Sequence, residues 1–197
     1  KENVDGIVAY ASDPAAPTAA YVAEKLGLPT NPYKSVEILS YKDKFREFLR
    51  ENNFNCPKAK GFSSLENAKR EINQFKFPVM VKPIDSSGSK GVSKVENIED
   101  FEEAYKIALE NSRSNNIIIE EFIVQDHEFM IGGDCFVLNG KVEFWGLLNS
   151  QRDRKVNPYV PVGTSYPIKK RKKRVDLVKK EINKLLNSLD IEFGAFN

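Results

Sequence analysis

Lys82 closes an apolar run, Phe77-Pro-Val-Met-Val81, and opens a stretch of small residues, Pro83-Ile-Asp-Ser-Ser-Gly-Ser-Lys-Gly-Val92. A lysine at the end of a β-branched strand, followed by flexible Ser/Gly positions, has the parts needed to bind a polyphosphate. The loop can curl so that backbone N–H groups and hydroxyls point at phosphate oxygens, while the ammonium adds a point charge. Candidate contacts are Ser86, Ser87, Gly88, Ser89, Gly91 and Val92. The stretch is neither G-x-x-x-x-G-K-[ST] nor G-x-G-x-x-G. A hairpin turn of soluble residues would use the same composition, so the loop alone leaves two readings open.

Other residues could complete such a site. Lys42 falls in the first turn of a helix carrying Phe45-Arg46-Glu47-Phe48-Leu49; Lys44 is the alternative cation there. Glu120-Glu121-Phe122-Ile123 continues an apolar strand, and an extended segment of this kind can offer a backbone C=O and N–H to an adenine edge. Glu128 comes a few residues later, where a carboxylate could accept from both ribose hydroxyls. His127 reads as a loop residue beside it, and Asp134, after Gly132-Gly133, as a bulge or a functional acid. Arg152 and Arg154 precede Pro158-Tyr-Val-Pro161 and could meet a carboxylate or phosphate.

The elements that must position these residues alternate between helix and strand, which argues for an α/β or α+β architecture. Val4–Tyr10 reads as a strand, and Asp13-Pro14 as the start of an Ala-rich helix that stops at Gly27 and Pro29. Ser40 with Asp43, and Ser63 with Glu66, have capping-box spacing before two further helices. Val79–Ile84, Val92–Val95 and Ile117–Ile119 read as strands, with a helix after Asn97 on the face of Ile98, Phe101, Tyr105, Ala108 and Leu109. Alternation puts Lys82 on the face of Met80, opposite Val79 and Val81. Phe129–Leu138 and Val142–Leu148 form a hairpin over Asn139-Gly140, a type I′ signal. Val175, Val178, Ile182, Leu185, Leu186 and Leu189 mark a last amphipathic helix before Glu192–Asn197, which reads as a strand in need of a partner.

Composition narrows the classes. With 41% hydrophobic and 29% charged residues in 197, the chain is neither disordered nor collagen-like. Lys plus Arg number 30 against 28 acids, so whole-chain charge does not point to a nucleic-acid partner. The run Lys169-Lys-Arg-Lys-Lys-Arg174 could be a nucleic-acid patch, but no aromatic residue interleaves it, and a solvated loop and first helical turn fits better. No apolar run is long enough to cross a membrane as a helix. Cys56 and Cys135 lack metal-ligand spacing and suit buried free thiols in a reducing, cytoplasmic compartment.

Taken together, Lys42, Lys82, Ser86 to Val92, Glu120–Ile123 and Glu128 resemble, in order and spacing, the ATP-grasp superfamily. The branch is that of the carbamoyl-phosphate synthase large chain and biotin carboxylase. The resemblance implies an α+β ATP-grasp fold of two α+β lobes, preceded by the tail of an α/β domain. It divides the chain into residues 1–40, the end of that preceding domain; 41–116, an N-lobe with the phosphate loop as lid; and 117–197, an incomplete C-lobe. Lys42 and Lys82 are implied as phosphate-binding and catalytic lysines, the Ser86–Val92 loop as the phosphate loop, Glu120–Ile123 as the adenine hinge and Glu128 as the ribose carboxylate. Arg152 is carried along as a substrate-side cation.

The function implied is that of an ATP-dependent ligase core. A carboxylate attacks the γ-phosphate of Mg-ATP, and an amine then displaces phosphate from the acyl phosphate. Magnesium (or manganese) is expected on acidic residues beyond Asn197, so this stretch by itself is expected to be inactive. The partners implied are a nucleotide and a small carboxylate and amine, with no nucleic acid and no membrane. A homodimer or a larger parent protein stays open. A non-catalytic ATP-binding module is the alternative function, and a basic-patch nucleic-acid binder a weaker one.

Overall fold

The computed structural model describes residues 3–10, 12–125, 128–153, 158–169 and 171–197. His127, Arg154 and Lys170 lie outside the described residues. After a 3-10 turn at Asp13–Ala15, helix α1 spans Ala16–Lys25 and stops where Gly27 adopts a φ of +66°. Helix α2 (Tyr33–Ser40) and helix α3 (Lys42–Glu51) follow almost without a break. Then come strand β1 (Ala59–Phe62), helix α4 (Leu65–Glu71), strand β2 (Val79–Pro83), strand β3 (Ser93–Val95), helix α5 (Phe101–Glu110) and strand β4 (Ile117–Glu121). Strands β5 (Met130–Leu138), β6 (Lys141–Arg152) and β7 (Pro161–Ser165), helix α6 (Lys172–Ser188) and strand β8 (Phe193–Phe196) complete the chain.

These elements form two compact units, each with its own sheet. In the unit of Glu37–Val124, four antiparallel strands run in the order β1-β4-β2-β3. Period-two alternation sorts their side chains. Phe62, Val79, Val81, Val95, Ile117 and Ile119 turn to one face and pack with Ile72, Phe75, Phe101 and Tyr105. Each such fully buried side chain contributes about 1.5–3 kcal/mol, which makes this face the core of the unit. Met80, Lys82, Ile118 and Glu120 take the other face, as the register Met80↔Glu120 and Lys82↔Ile118 requires.

The other unit takes in Ala16–Val36 and Gln125–Asn197, with the segment up to Tyr10; its sheet order is β7-β6-β5-β8. The β5–β6 hairpin turns through Asn139 and Gly140 with φ of 52° and 71°, the positive pair a type I′ turn needs. Strand β8 finds its partner in β5, from Cys135↔Phe196 to Leu138↔Phe193. Asn31 clamps its start: Oδ1 accepts from Glu192 N at 2.9 Å and Nδ2 donates to Phe193 O at 2.7 Å.

Several expectations from the sequence are corrected. Val4–Tyr10 is not a strand; Val4 and Val8 are 52% and 82% exposed, and no neighbour supplies a ladder among the described residues. Ser40 ends α2 instead of capping α3, whose cap position is Tyr41 with no side-chain cap bond. Asp43 Oδ1 is buried without a partner. The cap of α4 is Ser64, one residue after Ser63, accepting from Asn67 N at 3.4 Å. Helix α2 and strands β1 and β7 were not foreseen. β1 is only four residues long, Ala-Lys-Gly-Phe, with no apolar alternation to announce it.

Candidate functional site

The charged face of the β1-β4-β2-β3 sheet brings the two predicted phosphate-binding lysines, Lys42 and Lys82, near each other. Helix α3 starts against the exit of β2, because Lys42 N donates to Ile84 O at 3.0 Å. Its side chain then reaches the beginning of the Ser/Gly loop, with Nζ donating to Ser86 O at 2.6 Å. Lys44, the rival cation, turns elsewhere: its Nζ pairs with Glu37 at 2.9 Å and lies 5.1 Å from the Tyr41 ring centre. One helical turn after Lys42, Arg46 shares its face.

Arg46 and Lys82 both meet Glu120. Arg46 Nε donates to Oε2 at 2.9 Å, and Lys82 Nζ donates to Oε1. Glu120 is only 4% exposed, so its charge persists because each oxygen is paired. Burial opposes ionisation, but Lys82 and Arg46, by charge and hydrogen bonds, outweigh it and hold the carboxyl below its ordinary range. Lys42 shifts downward, first because it is buried and next because Lys82 is near; Asp85 and Glu120 pull it back, and Arg113 adds to the lowering. Three cations, Lys42, Lys82 and Arg46, thus face two carboxylates, Glu120 and Asp85, at the base of a loop rich in N–H and O–H donors. That surplus of positive charge suits a polyanion.

The remaining predicted residues are placed less uniformly. Ser86 Oγ donates to Lys90 O at 3.0 Å, and Gly88 and Ser89 take φ of 66° and 58°, so the loop curls on itself. Glu121 faces away from Glu120, and its Oε1 accepts from Lys76 N at 3.2 Å. Glu121 N and Phe122 N are spent on Lys58 O and Pro78 O, at 2.9 and 3.1 Å. Ile123, two residues past the end of β4, is 71% exposed. Glu128 is exposed and belongs to the other unit, where its carbonyl accepts from Gln125 Nε2 at 3.2 Å. Arg152, in that unit too, donates through Nη1 to Tyr159 O, while its Nε is buried without a partner. Asp134 lies in regular pairing with Gly146; the bulge falls between Phe136 and Val137.

Two residues of the cluster were missed as site residues. Arg46 had a readable signal, its i,i+4 spacing from Lys42. Asp85 had none, because its partners lie 27 to 29 residues away. An open cleft of about 900 Å³ beside α3 and β1 shares Arg46 with this cluster and is also lined by Arg50, Lys58 and Lys60, but by neither Lys42 nor Lys82. Among the described residues no three His, Cys, Asp or Glu side chains come together to hold a metal ion. Nor is any described helix long and apolar enough to cross a membrane.

Two antiparallel α+β units, with a lysine-flanked Ser/Gly loop on one of them, define an ATP-grasp protein. The chain belongs to the D-ala D-ala ligase C-terminus family, whose model matches residues 22–156. It is similar to the formate-dependent phosphoribosylglycinamide formyltransferase of Methanocaldococcus jannaschii, 35% identical over 113 residues that cover 55% of this chain and 29% of the relative. The carbamoyl phosphate synthase large chain of Thermotoga petrophila is 25% identical over 188 residues, 94% of this chain and 17% of that one. Among solved structures, an L-amino acid ligase from Bacillus licheniformis superposes with a TM-score of 0.73 at 26% identity, covering 97% of this chain and 43% of that one. A biotin carboxylase–β,γ-ATP complex from Campylobacter jejuni gives a TM-score of 0.75 at 17% identity over 96% of this chain and 43% of that one. The chain therefore spans less than a third of these two curated relatives and under half of these two structures.

Proposed function

We propose that this chain is the nucleotide-holding part of an ATP-dependent carboxylate–amine ligase. The observation that carries the reading is the meeting of Lys82 and Arg46 on the Glu120 carboxylate, with Lys42 bound to Ser86 O, at the foot of the Ser86–Gly91 loop. Membership of a ligase family, and likeness to an L-amino acid ligase, support the reaction class.

The chain's own contribution is positioning and charge. In the triphosphate complex Lys42 and Lys82 would offset charge building on the phosphate oxygens, and the loop N–H groups would orient the γ-phosphate. A carboxylate oxygen would then form a bond to the γ-phosphorus as ADP leaves. The resulting acyl phosphate loses inorganic phosphate when an amine attacks its carbonyl carbon. Magnesium, when bound with the nucleotide, would supply further charge neutralisation. The described residues bring no metal-ligand group together, and no step here depends on one. The adenine roles of Glu121–Ile123, the ribose role of Glu128 and the substrate role of Arg152 belong to the same proposal.

A second reading, a nucleotide-binding module without catalysis, is favoured by Glu120, whose carboxylate is already taken by two cations. Two measurements test these readings in turn, the first the nucleotide site that both share. ATP titration of the wild type and of Lys82→Ala should show affinity falling at least tenfold in the variant; equal affinities would count against the nucleotide site. ADP release with mixed amino acids, measured on the protein that contains this chain, then decides between ligase and module.

A further inference from the structure

Both ends of the Ser/Gly loop rest on one turn, the Asn111–Asn116 segment that follows α5. At the entry, Asp85 is 6% exposed, and its carboxylate accepts three hydrogen bonds from that turn. Oδ1 takes Ser112 Oγ and Arg113 N, both at 3.1 Å, and Oδ2 takes Ser114 N at 2.8 Å. Ser112 Oγ in turn accepts from Asn116 N at 3.1 Å, and Ile84 N donates to Asn116 O at 3.3 Å. At the exit, Gly91 has a φ of +69°, and a Cβ there would stand 2.7 Å from Asn111 Cβ and 2.9 Å from Pro83 Cγ. Lys42 Nζ binds the carbonyl of Ser86, the residue next to Asp85.

We propose that Asp85 is a positioning residue that docks the base of the Ser86–Gly91 loop onto the Asn111–Asn116 turn, and so sets the pose of the loop donors and of Lys42. This rests on the nucleotide reading above. The chemistry demands a carboxylate. Donors arrive at both oxygens, so an asparagine would turn its own NH2 against an N–H or O–H. Burial works against a charged Asp85, yet the bonds from Ser114, Arg113 and Ser112 outweigh it and keep the carboxyl below its ordinary range. A negative charge this close to Lys42 would, by charge alone, weaken the grip on a polyanion. Its placement is therefore explained by the anchor, and the two effects have opposite signs.

The test uses the whole chain, with ATP and adenosine as separate probes and hydrogen exchange of the residue 86–91 amides. Asp85→Asn should weaken ATP binding about tenfold, the size expected when buried donors lose their acceptor. Adenosine affinity should stay as in the wild type, and exchange should quicken at residues 86–91. Ser112→Ala, which removes one of the three bonds, should move ATP affinity and exchange the same way by less; it carries the test if Asp85→Asn does not fold. Tighter ATP binding in Asp85→Asn, or equal weakening of ATP and adenosine, would overturn the anchor. If the wild type binds neither probe, the nucleotide reading fails, and exchange alone decides. Faster exchange confined to residues 86–91 keeps the anchor, and unchanged exchange removes it.

Discussion

The two faces of the β1-β4-β2-β3 sheet share the same strands and differ in almost everything else. One face carries Phe62, Val79, Val81, Ile117 and Ile119, all inside a continuous apolar cluster. The other carries Lys82 and Glu120 between Met80 and Ile118, and meets Lys42 and Arg46 from α3. Apolar burial on the first face stabilises the unit whatever the detailed contacts, because the effect scales with area removed from water. Ion pairing on the second contributes little net stability, since each charge costs desolvation before it gains a partner. The second face is arranged for placing charge. A site can thus sit on a sheet whose stability comes from the opposite side.

The largest effect should come from the core face. Ile119→Ala removes a fully buried side chain and should lower unfolding stability by about 2–5 kcal/mol in a denaturant titration. A loss under about 1 kcal/mol would erase the contrast between the faces. Next comes Glu120→Ala, which leaves Lys82 and Arg46 without their shared acceptor. Because those side chains are 19% and 26% exposed, the expected loss is about 2 kcal/mol, below the ~3–5 of a fully buried broken pair. Nucleotide affinity should change in this variant, whereas in Ile119→Ala it should hold wherever the protein stays folded.

Acid sharpens the comparison further. Glu120 and Asp85 are held below their ordinary values of 4.5 and 3.8. Their stabilising contribution is complete above those values and is lost as pH falls through the lower folded-state values, where the folded chain must take up protons it resisted. Glu120→Gln should flatten the fall in stability below about pH 4.5, and Ile119→Ala should leave its slope unchanged. The same slope in Glu120→Gln as in the wild type would refute this. The smallest effect is alkaline. Lys42 is lowered from 10.5, so in the proposed site phosphate affinity should begin to fall at a pH below that of an ordinary lysine. Lys42→Arg should hold its affinity to higher pH, and parallel profiles would show that Lys42 does not set the fall.

Much of this was legible in the chain because the signals are local. Alternation in Val79-Met-Val-Lys82 sorted the faces of β2, Asn139-Gly140 marked the hairpin, and the apolar stripe of α6 named Leu186 and Leu189, both buried. The order of Lys42, Lys82, the Ser/Gly loop and Glu120–Ile123 marked the family. What failed did so where local signals mislead. Val4–Tyr10 has strand composition but no ladder, Ser40 has capping spacing but sits at the end of a helix, and β1 exists only because β4 pairs with it. Glu120 read as part of a backbone hinge, and nothing near it in sequence announced that its side chain would hold two cations.

Residue types and spacing determined by themselves that the chain carries a Ser/Gly loop, flanking lysines and an ATP-grasp order. Tertiary structure alone decided which lysine of Lys42 and Lys44 reaches the loop, that Arg46 and Lys82 share one carboxylate, and that Asp85 ties the loop to a turn 27 to 29 residues further on. The physical reason is the range of the forces. Propensity, alternation and turn chemistry act over a few neighbours, whereas burial and charge pairing act between whatever residues the fold brings into contact.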